Sequence, residues 1–214
     1  MERICYVLGA WHTEQARICR APEDLVIAAD GGYAALESLG LTADLVVGDF
    51  DSLGYVPQGE EVIRHPVMKD DTDMMLAVQL GLERGYRNFV LLGSIGGRLD
   101  HTLANIQTLL YLKEQGCNAL LYGEGTAITA VQNGSLQLGG NGVFSVYCLS
   151  GVAHGVTERG FVYGLEGADM VSAYPSGISN EFLPTPGTIS VEDGCLVVLW
   201  YTEKEELPDL IARL

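Results

Sequence analysis

Two aspartates stand one residue apart at the end of an apolar run, in VVGDFDSLG, where Asp49 and Asp51 bracket Phe50. A strand turns residues i and i+2 to the same face, so on a strand these carboxylates repel unless something neutralises them. A divalent cation is one such partner; a solvated turn is the plainer one. Other acids also follow apolar runs. Asp30 closes LVIAAD, Asp70, Asp71 and Asp73 lie in KDDTD after EEVIRH, and Asp100 follows FVLLGSIGGRL. Convergent carboxylates suit magnesium, which takes one or two of them together with phosphate oxygens. Acids in the first turn of a helix also cap free N–H groups. That plainer role fits Asp70 and Asp71 and competes with chemistry at Asp100. Asp73, one turn into the helix and facing back, is more open to function.

Cations and glycines accompany these acids. GSIGGRLDH places Gly96 and Gly97 between a strand and a helix, with Arg98 and His101 beside them, and Lys69 precedes Asp70. Glycine lets backbone N–H groups approach an anion, and a helix N-terminus adds positive potential. Neither G-x-x-x-x-G-K-[ST] nor G-x-G-x-x-G is present, so the common nucleotide loops are excluded. A rim of this kind could hold a magnesium–polyphosphate; a solvated loop is the alternative for Arg98.

The elements that must position these residues change character along the chain. The first half alternates apolar runs (ICYVLG, LVIAAD, DLVVGD, the weaker EEVIRH, FVLLGS, NALLYG) with helical patterns: YAALESLG, about 72–84 ending at Gly85, and about 102–115 ending at Gly116. Continuous apolar strands interleaved with helices predict an α/β domain, with a mostly parallel, Rossmann-like sheet covered by helices on both faces. Ligands bind such sheets outside the carboxyl ends of the strands, where the acids fall. After about residue 126 the runs shorten and are separated by GG, NG, SG, PG and DG, which predicts an antiparallel β-sandwich. The change lies between residues 124 and 140, giving domains 1–130 and 131–214.

Composition narrows the function. The 214 residues carry a formal net charge of -16, with 12 basic and 28 acidic residues. That excludes a basic nucleic-acid face and an anionic membrane as partners. With 48 % apolar residues the chain is globular, and no apolar run approaches the roughly 20 residues of a membrane helix. The N-terminus, MERICYVLGAWH, reads as a first strand rather than a signal peptide. Five cysteines without a C-x-x-C pair fit buried thiols in a reducing compartment, hence the cytoplasm. The four scattered histidines argue against zinc.

Taken in order, ADGGYAAL, ADLVVGDFDSL, HPVMKDDTDMMLAVQLGLERG and LLGSIGGRLDHTLANIQTL resemble the bacterial thiamine pyrophosphokinases from about Ala28 to Leu110. GVTERGFVYGLEGADM and GISNEF resemble the β-domain of that family. The resemblance implies a reaction in which the hydroxyl of thiamine attacks the β-phosphorus of ATP, leaving thiamine diphosphate and AMP. It implies a homodimer with shared active sites, with thiamine between the α/β domain of one subunit and the β-domain of the other. It implies that Asp49, Asp51, Asp73 and Asp100 are the acidic catalytic residues, with magnesium on Asp49, Asp51 and Asp73. Asp73 or Asp100 would take the proton of the attacking hydroxyl. Asp30, Lys69, Asp70, Gly96, Gly97, Arg98 and His101 would face ATP. Tyr163, which stands where the family often has tryptophan, would face the thiamine rings with Ser179, Asn180 and Glu181; tyrosine keeps an aromatic face for the cationic thiazolium, though a weaker one.

Three rivals are weighed. An aspartyl phosphohydrolase would place D-x-D after the first strand, whereas here it follows the third. A binding module without catalysis would lack one or more of the acids. A related pyrophosphokinase with another acceptor alcohol differs only in its β-domain pocket.

Overall fold

The structure is a computed structural model that describes residues 3–11, 18, 20–50, 55, 61–64, 71–149, 151–202 and 210. Contacts divide the chain into two compact units, Met1–Glu124 with Glu206–Ile211 and Gly125–Glu205 with Ala212–Leu214. Among the described residues, no helix is long and apolar enough to cross a membrane.

Unit 1 contains β1 (Ile4–Leu8), β2 (Leu25–Ala29), α1 (Gly32–Ser38), β3 (Leu45–Gly48), β4 (Glu61–Arg64), α2 (Asp73–Glu83), β5 (Asn88–Leu92), α3 (Leu99–Glu114) and β6 (Asn118–Gly123). Its strands run in the order β6-β5-β1-β2-β3-β4, and every pairing in that series is parallel. All residues of β1, β2, β3 and β5 are buried. Both faces of the central sheet are therefore covered, which is why these strands read as unbroken apolar runs. Each fully buried side chain there, such as Ile27, Leu45 or Phe89, contributes about 1.5–3 kcal/mol.

Strand order reverses at β1. The chain builds outward through β2, β3 and β4, then returns to the other side of β1 with β5 and β6. The connections that leave β1 and β5 thus run to opposite sides at a switch point, where an open parallel sheet leaves a crevice. Acids at the opposite strand ends are structural. Asp24 Oδ1 accepts the Ile4 N–H and Asp44 Oδ2 accepts the Val26 N–H, each at 2.8 Å.

Helix ends follow local chemistry. The cap of α2 is Thr72, whose Oγ1 accepts the Met75 N–H at 3.1 Å. The hydroxyl takes the capping role expected of Asp70 and Asp71, and Asp73 is the first helical residue rather than one turn in. Gly85 and Gly116, at φ 81° and 70°, end α2 and α3 in the left-handed region as expected. α3 begins at Leu99, earlier than its apolar period suggests.

Unit 2 contains β7 (Thr126–Leu138), β8 (Val143–Cys148), β9 (Val152–Arg159), β10 (Leu165–Val171), β11 (Gly177–Glu181) and β12 (Gly187–Tyr201). All its pairings are antiparallel. The expected uniformly short strands are not found: β7 has 13 residues and β12 has 15. Residue 130 lies inside β7. The NG and DG signals at Asn133-Gly134 and Asp193-Gly194 are not hairpin turns but facing irregularities in one ladder. Register shifts between Val191 and Cys195, Asn133 takes φ 45° and Gly194 φ 119°, and Asn133 Oδ1 accepts the Gly194 N–H at 2.8 Å. A bulge of this kind bends a strand without ending it. The other edge of β12 forks there, pairing first with β9 and beyond the bulge with β8, which in turn pairs with β11.

Candidate functional site

A cleft of about 420 Å³ lies outside the carboxyl ends of β1, β2 and β5, at the switch point of unit 1. Its floor is backbone. Gly9, after β1, donates its N–H to Leu92 O at 2.8 Å. A Cβ on Gly9 would meet Gly93 O at 2.9 Å, so the two strand ends approach too closely for any side chain. On the next strand end, Asp30 takes φ 45° and donates its N–H to Val47 O at 2.7 Å. The glycine after it is fixed by sterics: a Cβ on Gly32 would sit 1.9 Å from Leu8 O. The DGG turn is thus the means by which α1 starts against β1 and leaves Asp30 on the cleft wall.

The glycine turn after β5 forms the facing wall. Gly93, Gly96 and Gly97 take φ 61°, 97° and 62°, values that only glycine adopts without strain. Three bonds hold this turn to the segments beside it. Asn105 Nδ2 donates to Ser94 O at 2.7 Å, Ser94 Oγ donates to Leu91 O at 2.8 Å, and Gly96 N–H donates to Thr102 Oγ1 at 3.2 Å. The indole of Trp11 lies over Gly96 and Gly97 so closely that a Cβ on either would fall 2.5 Å from it. Its Nε1 donates to Glu124 Oε1 at 2.9 Å.

Asp30, Asp73, Gly96, Arg98 and His101 all line this one cleft, so acids from the end of β2 and the start of α2 share it with the Arg98 guanidinium and the His101 imidazole. Asp100 does not line it. Its carboxylate is held by Arg98, Nε to Oδ1 at 3.1 Å and Nη2 to Oδ2 at 2.5 Å. The guanidinium lowers its pKa to about 2. Asp49 follows β3 and is not part of the cleft lining. Strand alternation ends before the D-x-D: β3 stops at Gly48 and Phe50, buried, takes φ 64°. β3 therefore ends before Asp49, and the expected same-face pairing of Asp49 with Asp51 involves a residue outside the described ones. Asp51, Lys69 and Asp70 lie outside the described residues. Trp11, Ser94 and Asn105 were not singled out from sequence. Only the position of Trp11 directly after the first strand could have flagged it.

Among the described residues, no group of three or more His, Cys, Asp or Glu gathers to hold a metal ion. The cleft does offer the carboxylates of Asp30 and Asp73. Hard oxygen donors in that number fit magnesium, which completes its shell with waters and phosphate oxygens.

Unit 2 has a second cleft, of about 500 Å³, lined by Tyr163, Ser179 and Asn180 together with Glu158 and Asp169. Asn180 is its organiser. Its Nδ2 donates to Glu158 Oε2 at 2.6 Å and to Tyr163 O at 2.7 Å. Its Oδ1 accepts the N–H groups of Tyr163 at 3.1 Å and Glu181 at 2.8 Å. Two donors and two acceptor sites are all that an amide side chain has, so Asn180 is fully used in positioning the wall. Ser179, at φ 60°, donates its N–H to Ser145 Oγ at 3.1 Å. Glu181 is not part of the lining. Phe144, Phe161 and Phe182 cluster in the same unit, with ring centroids 4.5 to 6.1 Å apart. Tyr163 itself is 62 % exposed, a rigid ring presented to solvent. Glu158 is buried at 4 % exposure, and burial raises the pKa of its carboxyl.

Comparison with known proteins gives one consistent result. The family described as thiamin pyrophosphokinase, catalytic domain, matches residues 19–121. Over 188 residues the chain is 28 % identical to the thiamine pyrophosphokinase of Bacillus subtilis (strain 168), covering 84 % of this chain and 88 % of that relative. The crystal structure of thiamine pyrophosphokinase from Bacillus subtilis superposes with a TM-score of 0.83 at 25 % identity, over 94 % of this chain and 100 % of that one. That of a thiamin pyrophosphokinase family protein from Enterococcus faecalis gives 0.80 at 27 %, over 95 % and 100 %.

Proposed function

We propose, from the match of residues 19–121 to the thiamine pyrophosphokinase catalytic domain, that the chain transfers the pyrophosphoryl group of ATP to the hydroxyl of thiamine, giving thiamine diphosphate and AMP. The observation that carries this is that the matched segment builds most of the switch-point cleft, from Asp30 to Asn105. On the same reading unit 1 is a Rossmann-like ATP domain with helices on both faces. Unit 2 is a β-sandwich that binds thiamine and dimerises.

Phosphoryl transfer depends on positioning and charge neutralisation more than on covalent help. The left-handed turn through Gly96 and Gly97 would lie beside the phosphates, with Gly96 on the cleft wall. Arg98 would supply positive charge, and the His101 ring a hydrogen-bond donor, to the phosphate oxygens from the same wall. Lys69 and Asp70 act from the segment before α2. Asp73 takes the proton of the attacking hydroxyl. Asp100 is the weaker choice, because a carboxylate held by Arg98 near a pKa of about 2 is a poor base. Asp30 and Asp73 would hold magnesium from the cleft wall, with Asp49 and Asp51 acting from the segment after β3, and the second oxygen of the Asp73 carboxylate is the proton acceptor. When bound, magnesium supplies neutralisation of the polyphosphate charge. Tyr163 offers a face to the thiazolium, in a wall that Asn180 fixes. Ser179 and Glu181 complete the thiamine side.

Transfer requires the ligands of the two clefts to meet, and a homodimer with shared active sites is part of the proposal. So is residence in the cytoplasm, supported by Cys5, Cys117, Cys148 and Cys195 as buried free thiols. The experiment is product analysis after incubation with magnesium, ATP and thiamine.

A further inference from the structure

We propose that Glu158 is the anionic anchor that gives the unit 2 cleft its preference for a positively charged acceptor; the inference rests on assigning thiamine to that cleft. Glu158 lies on β9, within the GVTERGFVYGLEGADM segment, and the resemblance assigns it no role. The residue is 4 % exposed, yet it lines the cleft. Among the described residues, its side-chain partner is the neutral amide of Asn180.

A purely structural role does not account for the charge. The bond to Asn180 needs only an acceptor oxygen, which glutamine would supply without taking an ion out of water. A buried carboxylate is normally matched by a cation. The cation nearest in sequence and the histidine of the same strand are already taken: Arg159 pairs with Glu166, and His154 Nδ1 lies 3.0 Å from Asp169. Among the described residues, no cation pairs with Glu158. A ligand that carries its own positive charge on a flat ring would satisfy both features of the wall, placing its face against exposed Tyr163 and its charge near Glu158. The pocket would then discriminate by charge, since an uncharged ring of the same shape would leave the carboxylate buried and unmatched.

The test uses the full chain, wild type and Glu158→Gln, which keeps the acceptor for Asn180. Two quantities are read: KM for thiamine against KM for ATP, and equilibrium affinity for thiamine against an isostere with carbon in place of the thiazolium nitrogen. The expected result is a rise in thiamine KM of at least about tenfold, with ATP KM and saturating kcat close to wild type. Wild type should prefer thiamine to the isostere, and the variant should lose that preference. Unchanged thiamine affinity in the variant overturns the proposal. Should the variant not fold, wild type alone decides, because equal affinity for thiamine and its uncharged isostere overturns it too. Absence of thiamine-dependent AMP from wild type instead sinks the parent function, and the charge preference is still read by binding.

Discussion

Asn180 on β11 donates to Glu158 on β9 across 2.6 Å, and the same amide closes on both backbone groups of Tyr163. One side chain therefore fixes the position of a buried acid and of an exposed ring. Asn180→Ala would orphan the Glu158 carboxyl and the Tyr163 backbone together. Each buried group left unsatisfied costs about 1–3 kcal/mol. We expect the denaturant midpoint of the variant to fall sharply and thiamine KM to rise; an unchanged midpoint would show that the network holds nothing.

Glu158 also sets a pH dependence. Its carboxyl is raised by burial, with the Asn180 bond acting in the opposite direction. Above the unfolded glutamate value near ~4.3, the folded state keeps this proton longer than the unfolded chain does. Stability from this site therefore falls as pH rises from the unfolded value through the raised folded value. Glu158→Gln should be more stable than wild type at pH 7 without ligand, and the gap should shrink toward pH 4. Parallel pH–stability curves for the two proteins would contradict the assignment.

Asp73 and Asp100 should separate kinetically. Asp73→Asn should lower kcat by about 10²–10⁴ without unfolding the protein. Asp100→Asn should leave the acid limb of the kcat profile in place and act mainly on ATP KM, by releasing Arg98. In stability the Asp100 carboxyl is the depressed case. Its contribution is complete above the unfolded aspartate value near ~3.9 and is lost as pH falls through about 2. The gap between wild type and Asp100→Asn should close over that window. A full-rate Asp73→Asn enzyme would remove Asp73 from the mechanism.

Gly32 tests the geometry of the DGG turn. Its absent Cβ would lie 1.9 Å from Leu8 O, against 3.5 Å for the nearest atom at Gly134. Gly32→Ala should cost more than about 2 kcal/mol, whereas Gly134→Ala should stay within about 1 kcal/mol. Equal thermal shifts would mean that α1 does not start against β1 as described.

Much of unit 1 is legible in sequence because its strands are buried on both faces and its turns need glycine. The LVIAAD–GG junction and the helix stops at Gly85 and Gly116 are direct consequences. Capping was less legible, since in KDDTD three acids and one threonine compete and geometry selects Thr72. The long strands of unit 2 were hidden by NG and DG pairs that mark a bulge as readily as a turn. The side-chain closure of Asn180 on Glu158 joins residues 22 apart in sequence, a separation at which no local pattern survives. At the D-x-D, the extended run was expected to continue through Phe50, but β3 stops at Gly48 and Phe50 takes φ 64°.

The central claim is the chemistry. Purified chain with magnesium, ATP and thiamine should yield AMP and thiamine diphosphate in equal amounts, with AMP absent when thiamine is omitted. Asp51→Asn should lose that turnover while keeping its fold. Release of ADP or orthophosphate in place of AMP, or AMP formation indifferent to thiamine, would contradict the account.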